Sequence, residues 1–190
     1  MKRIITIILA SLMLLSLVAC GNNVAEETTE KLPVHNKVPV NNNDSNSGAI
    51  ISPSVPETSW GYAFWNVFHD SIKNNSKIST NEIVQNILAS DAGKAIGFSE
   101  NADMPEGYLP GFSEDIKGFK SATMFTPAAS GYAFMGYVFE LENVSKVDNF
   151  IKTLNEKCDL RWMICMTAEM TTVGAYDNYV LFVMSPTNMP

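Results

Sequence analysis

The chain has 190 residues, of which 46% are hydrophobic and 17% charged, and thirteen Lys and Arg against twenty Asp and Glu give a formal net charge of −7. That length suits one domain and a tail rather than two domains of ordinary size. An acidic domain is repelled by nucleic acid and by anionic lipid headgroups, so the charge argues against both as partners of the folded part.

The N-terminal segment has the pattern of a secretion signal. Two basic residues precede an apolar run over residues 4–17, which ends in the sequence Leu-Val-Ala-Cys at Cys20. The run is too short for a comfortable bilayer span, so we expect a cleaved signal peptide over residues 1–19. The sequence at Cys20 resembles the lipobox of bacterial lipoproteins. The resemblance implies a diacylglyceryl thioether on Cys20 and a lipid-anchored protein on the extracytoplasmic face of the cell membrane. An ordinary signal peptide with a cysteine there by chance is the alternative.

Residues 20–58 are predicted to be the lipidated cysteine and a disordered tether. The segment is rich in Asn, Ser, Pro, Thr and Glu and has neither a helical nor an alternating apolar pattern. Such a composition buries too little apolar surface to offset the entropy of ordering. As a flexible coil it would span about 30–35 Å on average. His35 lies within it and is interpreted as a solvated bystander.

Two helices are predicted at the start of a single globular domain over residues 59–190. The first has aromatic residues at helical spacing from Trp60 to Ile72. The second begins with Ser79 and Glu82 in capping-box spacing, followed by an apolar face. Because a one-sided helix must bury that face, core packing of the aromatic stripe is favoured over a ligand platform.

Residues 93–118 are predicted to be a long connector without clear periodicity. It contains five acidic residues among glycines and prolines: Glu100, Asp103, Glu106, Glu114 and Asp115. Several oxygen ligands suit calcium, but the spacing fits no EF-hand loop. Solvated loop charge is therefore favoured over a calcium site.

The remaining residues predict a sheet with one helix inserted. Strands are predicted over residues 120–125, 132–142, 161–166, 171–176 and 179–184. A two-residue turn at Asp177 and Asn178 joins the last two strands, and Gly136 is expected to kink or bulge the second. Ser145 is predicted to cap the inserted helix. The predicted fold is α+β, with a mainly antiparallel sheet of about five strands covered by helices and preceded by two helices.

Five segments of the domain resemble small uncharacterised lipoproteins of anaerobic Gram-positive bacteria. They are Gly107–Phe112, Gly118–Ser121, Gly136–Leu141, Leu160–Cys165 and Val180–Pro186. The resemblance covers roughly residues 60–186 and implies one domain and a lipid anchor. It implies no activity, ligand or catalytic residue.

Motifs of common enzyme classes are absent from the sequence. There is no Gly-x-Ser-x-Gly, no His-Glu-x-x-His, no phosphate-binding Gly-x-x-x-x-Gly-Lys and no dinucleotide fingerprint. With Cys158 and Cys165 as the remaining thiols and only His35 and His69, we expect no four-ligand zinc site of the structural type. We therefore predict no cofactor and no metal site.

The candidate nucleophiles are Cys158 and Cys165, with His69 as the base, because a thiolate needs a nearby imidazole or cation. Buried, inert thiols are favoured, since Cys158 lies on the apolar helix face and Cys165 alternates with apolar residues in a predicted strand. A disulfide between Cys158 and Cys165 is the next alternative in an oxidising compartment. Redox catalysis is the least favoured.

Two further pairs of polar residues are candidate catalytic groups. Glu140 and Glu142 share a face of a predicted strand, where the solvated face of a sheet is favoured over paired acid and base carboxylates. His69 and Asp70 are interpreted as a polar helix terminus, since adjacent helical residues do not face each other.

Two functions from different classes remain. The preferred one is a non-enzymatic cell-surface module that binds a partner protein or a small ligand. The alternative is a thiol-dependent or hydrolytic extracytoplasmic enzyme that uses Cys165 and His69.

Overall fold

Six strands and four helices make up the part of the chain that the structure, a computed structural model, describes: residues 50–127 and 131–187. The strands are β1 (Ile50–Ile51), β2 (Phe98–Asp103), β3 (Ser121–Pro127), β4 (Met135–Glu140), β5 (Met170–Tyr176) and β6 (Tyr179–Ser185). The helices are α1 (Trp60–Asn74), α2 (Thr80–Ala89), α3 (Asp91–Ile96) and α4 (Val147–Lys157). The strands form one sheet in the order β1-β5-β6-β4-β3-β2, and every neighbouring pair is antiparallel. The predicted α+β class is confirmed, with six strands instead of about five.

The predicted signal peptide, Cys20 and residues 20–49 of the predicted tether lie outside the described residues. The described residues belong to one compact unit over residues 36–190. No helix within residues 50–127 and 131–187 combines the length and the apolar character needed to cross a bilayer.

The sheet is covered on both faces. Helices α1 and α2 pack on one face, whereas α4 and the loops around residues 104–119 and 158–169 cover the other. Successive side chains of β6 alternate between the two cores, because neighbouring strand residues point to opposite faces. The prediction that residues 179–184 form an interior strand is confirmed, and this strand is buried throughout.

Helix α1 lies along β5 at close range. A Cβ atom on Gly61 would lie 1.8 Å from Oγ1 of Thr172, and a Cβ atom on Gly174 would lie 2.5 Å from the ring of Trp65. Four helical residues rise about 6 Å and two strand residues about 6.6–6.8 Å, so successive turns of α1 meet alternate residues of β5. The two glycines allow this approach because neither has a side chain.

The predicted starts of the first two helices are confirmed. Ser59 caps α1, and its Oγ accepts a hydrogen bond from the backbone N–H of Tyr62 at 3.2 Å. Ser79 and Glu82 form the predicted capping box of α2, with N–H of Ser79 donating to Oε2 of Glu82 at 2.9 Å. Both caps satisfy backbone donors that the first helical turn leaves unpaired.

Ser145 does not cap α4, so that prediction is wrong. A 3₁₀ turn over Val144–Lys146 precedes the helix, and Lys146 occupies the cap position without a side-chain hydrogen bond. The hydroxyl of Ser145 donates instead to Oδ1 of Asn143. The helix therefore begins two residues later than its apparent capping residue.

The boundary of the predicted tether at residue 58 is too late. Ile50 and Ile51 pair with Tyr176 and Ala175 of β5, and Ile51 is buried in the core. Two residues are too short a segment to show strand alternation. The pairing depends on the exposed edge of β5, which local sequence does not reveal.

The predicted connector over residues 93–118 contains the end of α3 and all of β2. Strand β2 pairs with β3 at one edge of the sheet as described, and its residues Glu100, Ala102 and Asp103 are exposed. An edge strand with a solvated surface needs no apolar alternation, which explains why its sequence resembles a loop.

The prediction of a strand over residues 161–166 is wrong. After α4, the chain turns at Asp159, whose Oδ1 accepts from N–H of Arg161 at 2.8 Å and whose carbonyl accepts from N–H of Trp162 at 3.3 Å. Asp side chains favour such turns by hydrogen bonding to backbone two residues ahead. Residues 161–166 are consequently an irregular loop.

Gly136 neither kinks nor bulges β4, which pairs in continuous register with β3 and β6. A Cβ atom there would lie 2.2 Å from the Phe125 ring. The glycine thus makes room for a ring on the adjacent strand.

The predicted hairpin at Asp177 and Asn178 is confirmed, and Asp177 has the left-handed φ of 56° that tight turns favour.

Candidate functional site

The candidate thiols and the candidate base lie in separate parts of the fold. His69 is on α1, where its ring packs edge-on against Tyr176 with centroids 4.8 Å apart. Cys158 ends α4 and packs against the core on the opposite face of the sheet. Cys165 is exposed in the loop that covers that same opposite face. The structure therefore does not bring His69 to either thiol.

Both thiols are free in the structure, so the disulfide weighed from the sequence is not formed in it. Cys158 is half-buried, in line with the favoured prediction of a packed thiol. Cys165 is exposed, which contradicts that prediction, because the strand expected to bury it is a loop.

Burial, with a smaller contribution from the Asp159 carboxylate, raises the pKa of the Cys158 thiol from 9.0 to about 11. The folded chain keeps this proton between pH 9 and 11 while the unfolded chain loses it, so the thiol makes folding stability fall as pH rises through that window. At pH 8 we expect iodoacetamide to label Cys158 about 10- to 100-fold more slowly in the folded chain than in urea-unfolded chain, since only the thiolate reacts. Mass spectrometry of the tryptic peptide that contains Cys158 measures both rates. Equal rates in the two states would contradict the burial of this thiol.

The carboxylates of Glu140 and Glu142 interact with the ammonium group of Lys120. Oε1 of Glu140 accepts from Nζ of Lys120 at 2.7 Å and Oε2 accepts from the hydroxyl of Ser121 at 3.0 Å. The hydrogen bond and charge of Glu140, and more weakly the charge of Glu142, raise the pKa of Lys120. This arrangement is an ion pair between Lys120, which precedes β3, and Glu140 at the end of β4.

His69 and Asp70 do contact each other, contrary to the expectation for adjacent helical residues. Nδ1 of His69 lies 3.1 Å from Oδ1 of Asp70, and the Asp70 side chain is 69% exposed. No nucleophile is placed against this pair among the contacts of the described residues. It remains a polar contact near the end of α1.

The acidic residues of the predicted connector are dispersed. Four of them have donors of their own: Asp103 with the Thr123 hydroxyl, Glu106 with N–H of Gly118, Glu114 with Nζ of Lys157, and Asp115 with Nζ of Lys117. Across residues 50–127 and 131–187, no group of three or more His, Cys, Asp or Glu side chains is arranged to hold a metal ion. The calcium alternative has no ligand cluster in the described part of the chain.

The two loops that cover the same sheet face as α4 each carry an exposed apolar side chain. Ile164 is fully exposed, at 102% of its reference area, and Tyr108 is 70% exposed. Trp162, Met163 and Met166 are partly buried against the core of that face. We call these five residues the apolar surface. Apolar side chains exposed together commonly mark a contact site.

Backbone hydrogen bonds join the two loops that carry the apolar surface. N–H of Asp159 donates to the carbonyl of Gly111 at 2.9 Å, and N–H of Ser113 donates to the carbonyl of Lys157 at 2.8 Å. N–H of Ala168 donates to the carbonyl of Leu160, which closes the neck of the second loop. These hydrogen bonds therefore fix the backbone of the two loops where the loops meet.

Gly111 sets the position of the first loop. Its φ is 86°, a left-handed conformation that favours glycine, and a Cβ atom there would lie 2.2 Å from Cε of Met184. The Trp162 indole lies 3.9 Å from the same Cβ position. Tyr108 comes three residues earlier in this loop. The hydroxyl of the nearby Tyr137 donates to the carbonyl of Pro110 at 2.6 Å. Burial raises the pKa of Tyr137.

Comparison with known proteins found no family model, no curated protein and no solved structure that matches the chain. Candidate functions thus rest on the geometry of the described residues. The sequence contained one signal for the apolar surface, the unbroken apolar run from Trp162 to Met166 after a turn-forming aspartate. That run was instead predicted to be a strand of the sheet.

Proposed function

We propose that this protein is a lipid-anchored, non-enzymatic module that binds a partner protein at the cell surface through the apolar surface. A diacylglyceryl group on Cys20 holds it to the membrane. The observation that carries the proposal is the full exposure of Ile164 between Trp162 and the free thiol of Cys165, on a loop closed at its neck.

The composition of the apolar surface supports a protein partner. Aromatic residues, Met and Arg are enriched in protein interfaces, and a few such residues carry most of the binding energy. The surface contains Tyr108, Trp162 and two methionines, with Arg161 beside them. A side chain that protrudes as Ile164 does suits insertion into a pocket on another protein, whereas small-ligand sites are concave.

Charge favours a protein over the bilayer as the occupant. Residues 50–190 contain sixteen acidic and nine basic side chains. Anionic headgroups repel such a domain, while a partner with an apolar pocket and a basic rim complements it. Complementary charge also accelerates encounter between the two proteins.

Site-specific photo-crosslinking tests the proposal in cells that produce the full chain. A photoreactive phenylalanine replaces Ile164 in one variant and Val144 in a matched control, since Val144 is a 40% exposed apolar residue in the 3₁₀ turn before α4. We expect a discrete, protease-sensitive adduct at position 164 that is absent at position 144. Tyr108→Asp in the same chain should reduce that adduct, because Tyr108 lies on the other loop of the surface.

Three results would contradict the proposal: the same adducts at both positions, adducts with lipid alone, or an adduct that Tyr108→Asp leaves unchanged. The first indicates random collision and the second indicates contact with the membrane. The third places the partner outside the apolar surface.

A further inference from the structure

Two cysteines flank, along the chain, the segment that carries Ile164 of the apolar surface. Cys158 ends α4, and its backbone forms an isolated bridge with Phe112, so its position is fixed by two elements. Cys165 lies seven residues later in the irregular loop and is exposed. Trp162, Met163 and Ile164 lie between the two thiols.

We infer that Cys158 and Cys165 form a reversible disulfide that controls access to the apolar surface. The inference rests on the proposed function, whose partner contact it would regulate. A disulfide requires Cα atoms about 4.4–6.8 Å apart. Because Cys158 is held by α4 and Phe112, closing the bond draws Cys165 toward the half-buried Cys158. Ile164 precedes Cys165 directly and is therefore drawn toward the domain.

The oxidant is a disulfide, such as oxidised glutathione or an exchange protein of the cell envelope. Cys165 loses its proton, and its thiolate attacks one sulfur of the oxidant, so that the oxidant's S–S bond breaks and one thiol leaves. Cys158 then loses its proton and attacks the Cys165 sulfur, which releases the second thiol. Two cysteine thiols give up two electrons and two protons, and one disulfide is reduced to two thiols.

The order of attack follows from exposure. Cys165 is open to the oxidant, whereas Cys158 is half-buried and its thiol is held protonated by burial. The second step is intramolecular, so a low thiolate fraction is offset by the high local concentration of the partner sulfur.

Peptide mapping of the full chain detects the bond directly. Trypsin cuts after Lys157 and Arg161, and no Lys or Arg follows Arg161, so the two cysteines fall in residues 158–161 and 162–190. After exposure to oxidised glutathione and alkylation of free thiols, we expect one linked species that reduction separates into these two peptides. Cys165→Ser and Cys158→Ser should each abolish it.

Crosslinking at position 164 then measures control of the contact. We expect the partner adduct to fall at least about tenfold in the oxidised chain and to return after reduction, while Cys165→Ser makes it insensitive to oxidant. Free or merely glutathionylated cysteines under oxidising conditions would overturn the inference, as would a disulfide that leaves the adduct unchanged. An adduct missing from both oxidised and reduced chain would instead refute the proposed function, because disulfide formation is measured independently of binding.

Discussion

Gly61→Ala is expected to lower the free energy of unfolding by about 3 kcal/mol. The new Cβ atom would lie 1.8 Å from Oγ1, 2.4 Å from Cβ and 2.7 Å from Cγ2 of Thr172, closer than side-chain atoms approach one another. Thr172 is short, branched at Cβ and paired with Val183 in the sheet, so it has no open space into which to turn. Overpacking of this kind costs about 1–3 kcal/mol or more, which exceeds the helix preference of about 1 kcal/mol that alanine brings.

Chemical denaturation of the full chain measures this loss. Gly131→Ala is the matched control, because no atom lies within 4 Å of its Cβ position, and we expect a change within about 0.5 kcal/mol. Adding Thr172→Gly to Gly61→Ala removes all three clashing atoms and should recover part of the stability. A Gly61→Ala variant as stable as the wild type would refute the close approach of α1 to β5.

Cys20→Ala is expected to move the full chain from the detergent phase to the aqueous phase in a phase-separation assay. The lipobox resemblance implies that two acyl chains on the Cys20 sulfur form the anchor. Each buried methylene contributes about 0.8 kcal/mol to membrane binding, and two chains suffice for stable attachment. Without the sulfur no thioether forms, so the loss of membrane retention should be nearly complete.

Cys165→Ala provides the control for the loss of a thiol, since it leaves Cys20 intact and should stay in the detergent phase. A Cys20→Ala chain that still enters the detergent phase would contradict lipidation at this residue. The apolar run over residues 4–17 would then be the segment that holds the protein to the membrane.

Elements with strong local signals were predicted well from the sequence. Ser79 and Glu82 stand in capping-box spacing before an apolar face, and the aromatic stripe from Trp60 to Ile72 is long enough to display helical spacing. The hairpin at Asp177 and Asn178 combines a turn dipeptide with two β-rich runs. In each case the information lies within about fifteen consecutive residues.

Elements that depend on distant partners were missed. β1 and β2 have little apolar pattern and exist because β5 and β3 offer edges to pair with. Residues 161–166 have a suitable composition for a strand, yet the turn at Asp159 redirects the chain into a loop. Pairing and exposure are properties of the assembled sheet, so composition alone did not determine them.

In the candidate site too, the identity of the residues was predictable from the sequence, whereas their arrangement was not. The sequence identified Cys158, Cys165 and His69 as the reactive residues, but their separation across the sheet follows from which face each element covers. The exposure of Ile164 and Tyr108 depends on two loops joined by backbone hydrogen bonds far apart in sequence. No local pattern distinguishes an exposed isoleucine of this kind from a buried one.

Binding through the apolar surface is decided by the affinity for the crosslinked partner, measured for the full chain with Ile164→Asp and with the control Val144→Asp. Burying an isoleucine side chain contributes about 1.5–3 kcal/mol, so Ile164→Asp should raise Kd by at least about tenfold, with the melting temperature unchanged because Ile164 is fully exposed. Val144→Asp should bind as the wild type does. Equal affinities for wild type and Ile164→Asp, or equal losses in both variants, would contradict binding through the apolar surface.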